Sequence, residues 1–460
     1  MSFPRYPEYS DSGLGWLGAV PKHWQVKPLK FVASVQTGIA KGKDNAGKNT
    51  IEVSYLRVAN VQDGYLALDD VSRIEIPEEL LGRYSLRVGD VLMNEGGDFD
   101  KLGRGHIWNG EIEPCIHQNH VFAVRPNKIS SAWLNTITGS GYAQFYFMTR
   151  AKQSTNLASI SSTNIMELPI VVPPEDEQRA ILQFLHTETT KIDHLMAEQE
   201  KLIALLKEKR QVAIAHAVTK GLDPTVPMKD SGVEWLGEVP AHWQLTRVKH
   251  LTNNFDQGWS PQCESYPVAS EDEWGVLKVG CVNGGIFNPE ENKSLPAELD
   301  PLPELGIRKG DLLISRANTR ELVGSAAVAL RDYPNLLLCD KLYRLRLGDA
   351  VTSTEFVAYY LSTSQARGQI ELSASGASSS MLNISQATIL EMAIALPADE
   401  EQGEIVAFIE SEQSKLNALI AEAQHAIDLL KERRTALISA AVTGQIDVRG
   451  LVKKEQEQAA

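Results

Sequence analysis

The sequence predicts an α+β fold in which one plan occurs twice, each time as a β-rich domain followed by a long helix. Three observations predict this fold. Nearly identical segments open the two halves of the chain, two long segments have the heptad pattern of paired helices, and the stretches between them contain short β-like runs. Length and composition agree, because 460 residues with 43% hydrophobic and 23% charged residues are typical of a globular chain of about three domains.

The internal repeat gives the order of the segments. Residues 11–24 read DSGLGWLGAVPKHW, and residues 230–243 read DSGVEWLGEVPAHW. Three more pairs recur in the same order: PPEDEQRAI from Pro173 with PADEEQGEI from Pro397, LLKEKR at 205–210 with LLKERR at 429–434, and AVTKGLD at 217–223 with AVTGQID at 441–447. Because the differences collect between these pairs, the pattern suggests a shared scaffold that carries two different recognition surfaces.

Residues 175–218 contain neither Gly nor Pro and predict one long helix. Pro173 and Pro174 precede its acidic first turn, and Gly221 follows its basic last turns. The helix dipole favours this placement of acidic and basic residues. Neither this helix nor its repeat can bury an apolar stripe alone, so we expect the two to pair as an antiparallel coiled coil with pseudo-two-fold symmetry. The alternative is that each helix packs only on its neighbouring domain. The predicted seam positions are Leu185, Ile192, Leu195, Leu202 and Leu206 in the first helix and Ile409, Leu416, Leu419, Leu430 and Leu437 in the second.

Each divergent middle combines short strands with a helical segment. In the first middle, IEVSYLRVANV, VGDVLMN and HVFAVRP are predicted strands, and WGVLKVGCV, KGDLLIS and KLYRLRL occupy the equivalent places in the second. The segments that start at 129 and 352 are predicted helices. This order indicates an α+β globule rather than a parallel Rossmann sheet.

The loops between the predicted strands carry the candidate functional residues, because they are rich in the side chains that pair with base edges and phosphates. Arg316 and Arg320 could present a fork to guanine. Gln118, Asn119 and Asn318 could pair with adenine. For any single Asn or Ser, turn chemistry is the alternative. The candidate DNA contacts in the first middle are Lys41, Lys43, Lys48, Asn94, Lys101, Arg104, Gln118, Asn119, His120, Ser162, Thr163 and Asn164. Those in the second middle are Trp259, Ser260, Gln262, Arg316, Asn318, Thr319, Arg320, Lys341, Ser379, Ser380 and Asn383.

Charge and cysteine content narrow the class of protein. The formal net charge of −14 argues against a surface that grips nucleic acid everywhere, and leaves room for contacts confined to a few loops. Four cysteines without a C-x-x-C pair suggest neither a zinc ribbon nor a redox pair, and a cytoplasmic, reducing compartment is expected. No apolar window of about 20 residues could span a bilayer, and MSFPRYPEYSDSG is not typical of a secretory signal.

Catalytic motifs are incomplete or missing. GKDNAGKN at 42–49 approaches a phosphate-binding loop, but Asn49 stands where a hydroxyl is needed and a predicted strand follows instead of a helix. His117 and His120 have H-x-x-H spacing without a third ligand, so no metal site is expected. The sequence has no G-x-S-x-G elbow, no F-x-G-x-G loop for S-adenosylmethionine and no Asn-Pro-Pro-aromatic segment. It therefore favours binding over catalysis.

Over residues 11–447 the order of these motifs resembles the specificity subunit of type I restriction–modification enzymes. The resemblance rests on WLGAVPKHW and WLGEVPAHW, on PPEDEQ and PADEEQ, on the helices that end in LLKEKR and LLKERR, and on AVTKG and AVTGQ. GWSPQCES at 258–265 is also similar to the variable domains of that family.

The resemblance implies a division of labour. Two target recognition domains, 1–172 and 223–396, would each read one half of a bipartite double-stranded DNA site. Two conserved helices, 173–222 and 397–447, would form the spacer, and 448–460 would be a flexible tail. Two methyltransferase subunits would dock on this chain, carry S-adenosylmethionine and methylate adenine N6 after flipping the base. Separate restriction subunits would use ATP and magnesium, so no cofactor and no catalytic residue would belong to this chain.

Two other classes of protein stay open at this point. An enzyme with an unrecognised active site would turn over DNA, ATP or a methyl donor without any partner. A scaffold whose middles bind proteins would not shift a random duplex in a gel, either alone or with partner subunits.

Overall fold

Two long helices and two similar sets of short strands and short helices make up the fold. The computed structural model describes residues 3–42, 47–97, 102–153, 158–378 and 381–451. The chain divides into two units, the first formed by Met1–Gln199 with His425–Ala460 and the second by Glu200–Gln424. Each unit therefore contains one β-rich domain and a part of each long helix.

The first half of the chain follows the predicted order of strands and helices. Its elements are β1 (Tyr9–Asp11), β2 (Ala19–Pro21), β3 (Gln25–Pro28), β4 (Ala33–Thr37), β5 (Thr50–Leu56), β6 (Ser72–Pro77), α1 (Glu78–Tyr84), β7 (Val91–Asn94), β8 (Gly96–Gly97), β9 (Gly105–Ile107), β10 (Cys115–His117), β11 (Val121–Pro126), α2 (Ser131–Thr138), α3 (Gly141–Arg150), β12 (Lys152–Gln153), β13 (Ala158–Ser159), α4 (Ser162–Met166), β14 (Pro169–Val172) and α5 (Glu175–Lys220).

The second half has a similar order. Its elements are β15 (Met228–Asp230), β16 (Glu238–Pro240), β17 (Gln244–Arg247), α6 (Val248–Leu251), β18 (Thr252–Gln257), β19 (Gly275–Leu277), β20 (Asn292–Ser294), β21 (Gly306–Ile307), β22 (Leu312–Ser315), β23 (Ala317–Asn318), β24 (Ala326–Val328), β25 (Tyr333–Leu337), β26 (Leu342–Leu347), α7 (Thr354–Ser362), α8 (Ser364–Ser373), β27 (Ser375–Ser378), β28 (Met381–Asn383), α9 (Gln386–Leu390), β29 (Ala393–Leu396) and α10 (Asp399–Val442). It differs from the first half in having α6 before β18 and β21 in the place of α1.

The predicted strands are present as β5, β7, β11, β19, β22 and β26. Each predicted helical segment is instead a pair of helices, α2 with α3 and α7 with α8, because a capping residue interrupts it. Ser140 Oγ accepts from the Ala143 amide at 3.4 Å, and Thr363 Oγ1 accepts from the Ala366 amide at 3.3 Å. Such side-chain caps satisfy the first amides of a new helix.

Two sheets have counterparts in both halves. A four-stranded antiparallel sheet has the order β4-β11-β7-β9 in the first half and β18-β26-β22-β24 in the second. β5 pairs in parallel with β10, and β19 pairs in parallel with β25. Short mixed sheets with helices set apart from them confirm the predicted α+β class.

The opening and closing motifs of each repeat meet in space. β3 pairs with β14 just before α5, and β17 pairs with β29 just before α10. In the first unit, Trp24 Nε1 donates to Glu177 Oε2 at 3.0 Å, and His23 Nε2 lies 2.7 Å from Glu177 Oε1. In the second unit, Trp243 Nε1 donates to Glu401 Oε1 at 3.0 Å. The repeated motifs are thus the two sides of a joint that fixes each β-rich domain to the start of a long helix.

The two long helices contact each other in both units. In the first unit, Arg434 Nε of α10 donates to Asp193 Oδ1 of α5 at 2.9 Å. In the second unit, Arg210 Nη1 of α5 donates to Asn417 Oδ1 of α10 at 2.9 Å. The alternative that each helix packs only on its neighbouring domain is therefore wrong.

The residues at the helix ends give the direction of the pairing. In the first unit, Trp24 contacts Glu177 near the start of α5 and also lies against Gly444, just after the end of α10. In the second unit, Gly221, just after the end of α5, lies against Glu401 near the start of α10. The helices therefore run antiparallel within each unit, which confirms the predicted antiparallel pair.

Burial corrects part of the predicted seam. Leu195, Leu202 and Leu419 are 49%, 42% and 47% exposed, so their assignment to the seam is wrong. Met196 and Ile203, one residue further along α5, are partly buried instead. Steps of three and four residues both keep an apolar stripe on one helical face, and the sequence offers an apolar residue at both positions. The other predicted seam residues are buried or partly buried, namely Leu185, Ile192, Leu206, Ile409, Leu416, Leu430 and Leu437.

The register of α10 leads to a stability prediction. Leu416→Ala should lower the free energy of unfolding by about 2–4 kcal/mol, because Leu416 is only 3% exposed and its removal leaves a cavity. The matched control Leu419→Ala, less than one turn away, should cost about 0.5 kcal/mol or less. Urea denaturation followed by helical circular dichroism measures both values. Equal losses in the two variants would contradict the register.

The predicted flexible tail begins too early at 448. Val448 is fully buried in the core of the first unit. The Asp447 amide donates to the Pro4 carbonyl at 2.8 Å, and Arg449 pairs with the Asp447 carboxylate at 2.7 Å. The guanidinium of Arg449 also lies 4.7 Å from the ring centre of Tyr6. These contacts hold the segment after α10 against the first residues of the described chain.

In the part of the chain that the structure describes, every long helix is too polar to cross a lipid bilayer.

Candidate nucleic-acid interface

Three loops meet at the end of β7 in the first unit. The Glu95 amide donates to the His120 carbonyl at 2.9 Å, and the Ile160 amide donates to the Glu95 carbonyl at 2.8 Å. β8 also pairs with β13. These contacts define the first junction, which comprises residues 95–97, 117–120 and 158–160.

The second unit contains an equivalent second junction at the end of β22, which comprises residues 316–318, 338–341 and 382–384. The Arg316 amide donates to the Lys341 carbonyl at 2.8 Å, and the Ile384 amide donates to the Arg316 carbonyl at 3.0 Å. β23 pairs with β28, as β8 pairs with β13. The backbone thus brings the same three loops together in both units.

A glycine brings a further loop against each junction. A Cβ atom on Gly38 would lie 2.0 Å from the backbone oxygen of His117, and one on Gly258 would lie 1.9 Å from that of Leu338. In both cases the amide of the following residue donates to that oxygen at 3.0 Å. Only glycine allows this approach of two backbones, so the loop that carries Lys41 and the loop that carries Ser260 are held beside the junctions.

The structure brings many of the predicted residues to these two places. Gln118, Asn119 and His120 belong to the first junction, and Arg316, Asn318, Lys341 and Asn383 to the second or its paired strand. Close to the junctions in the chain, on the loops and the short helix that enter or leave them, are Lys41, Arg104, Ser162, Thr163, Asn164, Trp259, Ser260, Gln262, Thr319 and Arg320.

Several predicted residues have other surroundings. Lys48 is exposed and lines a small cavity together with Lys41, Pro77 and Leu80. Trp259 is partly buried against the apolar cluster of the second β-rich domain. The predicted contacts that lie outside the described residues are Lys43, Lys101, Ser379 and Ser380.

Asn94 is a wrong prediction. Its side chain is fully buried, and Nδ2 donates to the Val61 carbonyl at 2.8 Å, so no base edge can reach it. Ser315 holds the equivalent place in the second unit and is also fully buried. Among the described residues, neither Asn94 Oδ1 nor Ser315 Oγ has a hydrogen-bond partner. Because side chains alternate along a strand, the residue after each of them points the other way.

Those following residues, Glu95 and Arg316, give the two junctions opposite charge. Glu95 Oε2 lies 2.6 Å from His120 Nδ1. Arg316 Nη1 donates to the Asp340 carbonyl at 3.2 Å, and exposed Lys341 replaces His120. Glu95 is not among the predicted contacts, although NEGG and SRAN stand at the same distance after a repeated Gly-Asp, which aligns Glu95 with Arg316.

His117 is a structural residue within the first junction. It is fully buried, its Nδ1 lies 2.7 Å from the Val121 carbonyl, and Gln36 Nε2 lies 3.3 Å from its Nε2. Burial lowers the pKa of this imidazole. Across the described residues, no cluster of three or more His, Cys, Asp or Glu side chains has an arrangement that could hold a metal ion.

Ion pairs brace the opposite ends of the strands that lead to the junctions. Arg125 donates through Nε and Nη2 to Asp90, at 2.7 Å each, just before β7. Arg346 donates in the same way to Asp311 at 2.7 and 3.1 Å, just before β22. The hydrogen bonds to Asp311 raise the pKa of the Arg346 guanidinium. These two arginines stabilise the sheet, because a carboxylate occupies the paired donors of each guanidinium group.

One loop junction thus occurs twice in the chain with different side chains, and the chain also carries two paired long helices. The sequence model of the type I restriction modification DNA specificity domain matches residues 21–204 and 286–428, which together exceed half of the chain. The chain therefore belongs to this family and is a type I specificity subunit, as the resemblance in the sequence indicated.

Known relatives agree with this assignment. The EcoEI specificity subunit of Escherichia coli is 32% identical over 213 residues, which cover 46% of this chain and about a third (34%) of that subunit. The EcoKI specificity subunit of Escherichia coli K12 is 24% identical over 93% of this chain and 90% of that subunit. A chain from a solved structure on complex assembly and conformational transition of the type I system has a TM-score of 0.66. At 18% identity over 92% of this chain and 98% of that chain, it shows the same fold.

Proposed function

We propose that this chain is the DNA-recognition subunit of a type I restriction–modification complex and takes no catalytic part itself. Each β-rich domain, 1–172 and 223–396, reads one half of a bipartite double-stranded target. The helical segments 173–222 and 397–447 space the two halves. The observation that carries this proposal is the pair of equivalent junctions whose backbones match and whose side chains differ. Such a pair suits two unlike half-sites, because base edges are read by side chains.

The electrostatics of the chain support contacts confined to the loops. The net charge is −14, yet Lys41, Arg320 and Lys341 are exposed on the loops that meet at or near the junctions. Cationic side chains confined to these loops can neutralise DNA phosphates locally. The acidic rest of the protein surface disfavours non-specific binding to DNA. The other candidate DNA contacts of the sequence analysis, apart from Asn94, remain part of the proposal.

The exposed faces of the long helices support docking of partner subunits. Apolar side chains that lie outside the helix pair remain more than a third exposed, and exposed apolar surface is typical of protein interfaces. We propose that two methyltransferase subunits, which carry S-adenosylmethionine and methylate adenine N6, bind there. Restriction subunits with ATP and magnesium join that assembly. The exposed apolar residues of the helices are Leu195, Leu202, Leu205, Val212, Phe408, Leu419 and Leu429.

The proposal predicts where methylation occurs. The chain co-purified with its methyltransferase subunits should methylate adenine N6 at one bipartite motif, whereas the chain alone should transfer no methyl group. Sequencing of methylated adenines in genomic DNA from a host that expresses the complex measures the motif. Turnover of DNA, ATP or S-adenosylmethionine by the chain alone would favour an enzyme. The absence of any methylated motif, together with no shift of duplex DNA by the complex in a gel, would favour a protein scaffold.

A further inference from the structure

Glu95 and Arg316 occupy the same position in the two units. Each amide donates to the carbonyl of the second loop, at 2.9 Å for Glu95 and 2.8 Å for Arg316. Each carbonyl accepts from the third loop, at 2.8 and 3.0 Å. The following residues, Gly96 and Ala317, both lie in two-residue strands paired with that third loop. The backbone therefore presents both side chains in the same way.

The preceding residues fix the direction of these side chains. Asn94 and Ser315 end β7 and β22 and are fully buried. Their backbones are held alike, because the Asn94 amide donates to the Arg104 carbonyl at 3.1 Å and the Ser315 amide to the Ser325 carbonyl at 2.8 Å. All four residues of β7 and of β22 are buried, and the core ends with these strands, so that the next side chain reaches the surface. Glu95 and Arg316 are accordingly both partly exposed.

The chemistry of the two side chains is opposite. Glu95 can only accept hydrogen bonds when ionised, and Arg316 can only donate them. His120 holds the Glu95 carboxylate at 2.6 Å, and the Asp340 carbonyl holds the Arg316 guanidinium at 3.2 Å. In the major groove, the N4 amino group of cytosine is a donor, whereas O6 and N7 of guanine are acceptors. A carboxylate fits the first base and a guanidinium the second.

We propose that Glu95 and Arg316 are the matched specificity-determining positions of the two domains. Glu95 accepts from the N4 amino group of a cytosine in one half-site, and Arg316 donates to O6 and N7 of a guanine in the other. This inference rests on the proposed function and adds to it the kind of base that each junction reads. The target consequently contains a C·G base pair in each half-site. Glu95 contacts the cytosine of one pair, and Arg316 contacts the guanine of the other.

The test uses the full chain assembled with its methyltransferase subunits, after the methylated motif of the unaltered complex has been mapped. Duplexes of that motif carry 2-pyrimidinone, which lacks the N4 amino group, in place of each cytosine in turn. Others carry 7-deazaguanine, which lacks N7, in place of each guanine. With the unaltered chain, one replacement of each kind should slow methylation about 10- to 100-fold, the value of one good base contact.

Two variants assign those losses to residues. In Glu95→Gln, the 2-pyrimidinone replacement should no longer slow methylation further, while every 7-deazaguanine effect persists. In Arg316→Gln, the 7-deazaguanine replacement should no longer slow methylation further, and this change should be confined to the half-site that Glu95 does not contact. Glu79→Gln and Arg331→Gln, which alter exposed residues of the same two units, are the matched controls and should change neither effect. The thermal midpoint and yield of each assembled complex show that the variant is folded.

Different results separate the two levels of the proposal. If Glu95→Gln keeps the full loss at every replaced cytosine, or if both variants act on one half-site, the assignment of bases is overturned while the recognition function stands. If the unaltered complex produces no bipartite motif, the proposed function itself fails.

Discussion

Glu177→Ala should destabilise the first unit more than any single exposed substitution on α5. The Glu177 carboxylate is buried and accepts from the Tyr6 hydroxyl at 2.9 Å and from Trp24 Nε1 at 3.0 Å. Its removal leaves both buried donors without an acceptor, at about 1–3 kcal/mol each, so we expect a total loss of about 4 kcal/mol. Burial, followed by the hydrogen bond to this carboxylate, raises the pKa of Tyr6, in agreement with a buried contact.

The control for this variant lies on the same helical turn. Glu175 is exposed, and Glu175→Ala should change the free energy of unfolding by about 0.5 kcal/mol or less. Urea denaturation gives the free energies, and amide hydrogen exchange shows which unit has lost protection. A Glu177→Ala protein as stable as Glu175→Ala would refute the joint between the opening motif and the helix.

Asp311→Ala should have a similarly large effect on the second unit. Asp311 is 2% exposed, accepts two hydrogen bonds from Arg346 and a third from the Arg308 amide at 2.9 Å, and lies 3.9 Å from Arg344. The Arg346 side chain is 27% exposed, so removing the buried carboxylate leaves a partly buried guanidinium without its partner, at a cost near the lower end of the range for buried pairs, about 3 kcal/mol.

Two comparisons test this second prediction. Asp300→Ala alters an exposed aspartate of the same unit and should be close to neutral. Asp90→Ala removes the equivalent partner of Arg125 and should destabilise the first unit instead. Denaturation curves measured for all three variants should therefore rank Asp300→Ala far above the other two in stability. A stable Asp311→Ala protein would mean that the sheet does not depend on this pair.

The repeated motifs made the plan of the molecule predictable. A motif that recurs in the same order must form the same contacts twice, and the contacts of Trp24 with Glu177 and of Trp243 with Glu401 explain why both members of each pair recur. The strands were predictable because their apolar runs are bounded by turn residues. Both inferences depend on patterns that extend over many residues, which single substitutions hardly disturb.

Features that depend on a single position were not predictable. Leu195 and Met196 are both apolar, and only the partner helix decides which of them is covered. Asn94 and Glu95 are both polar, and only the last residue of β7 decides which of them leaves the core. A shift of one residue turns the side chains of a strand to the other face of the sheet. The amino-acid composition does not show which of the two arrangements forms.

The first unit is assembled from distant parts of the sequence, and this affects how it can form on a ribosome. Its core includes Leu437, Ala441, Val442 and Val448, which are translated after all of Glu200–Gln424. The second unit is one continuous segment and can close as soon as it has left the exit tunnel. Domains that emerge early generally fold early. Here, however, the first β-rich domain keeps apolar surface exposed to solvent until the last part of α10 and Val448 have been translated. The nascent first unit is thus the species most in need of a chaperone, and it matures last.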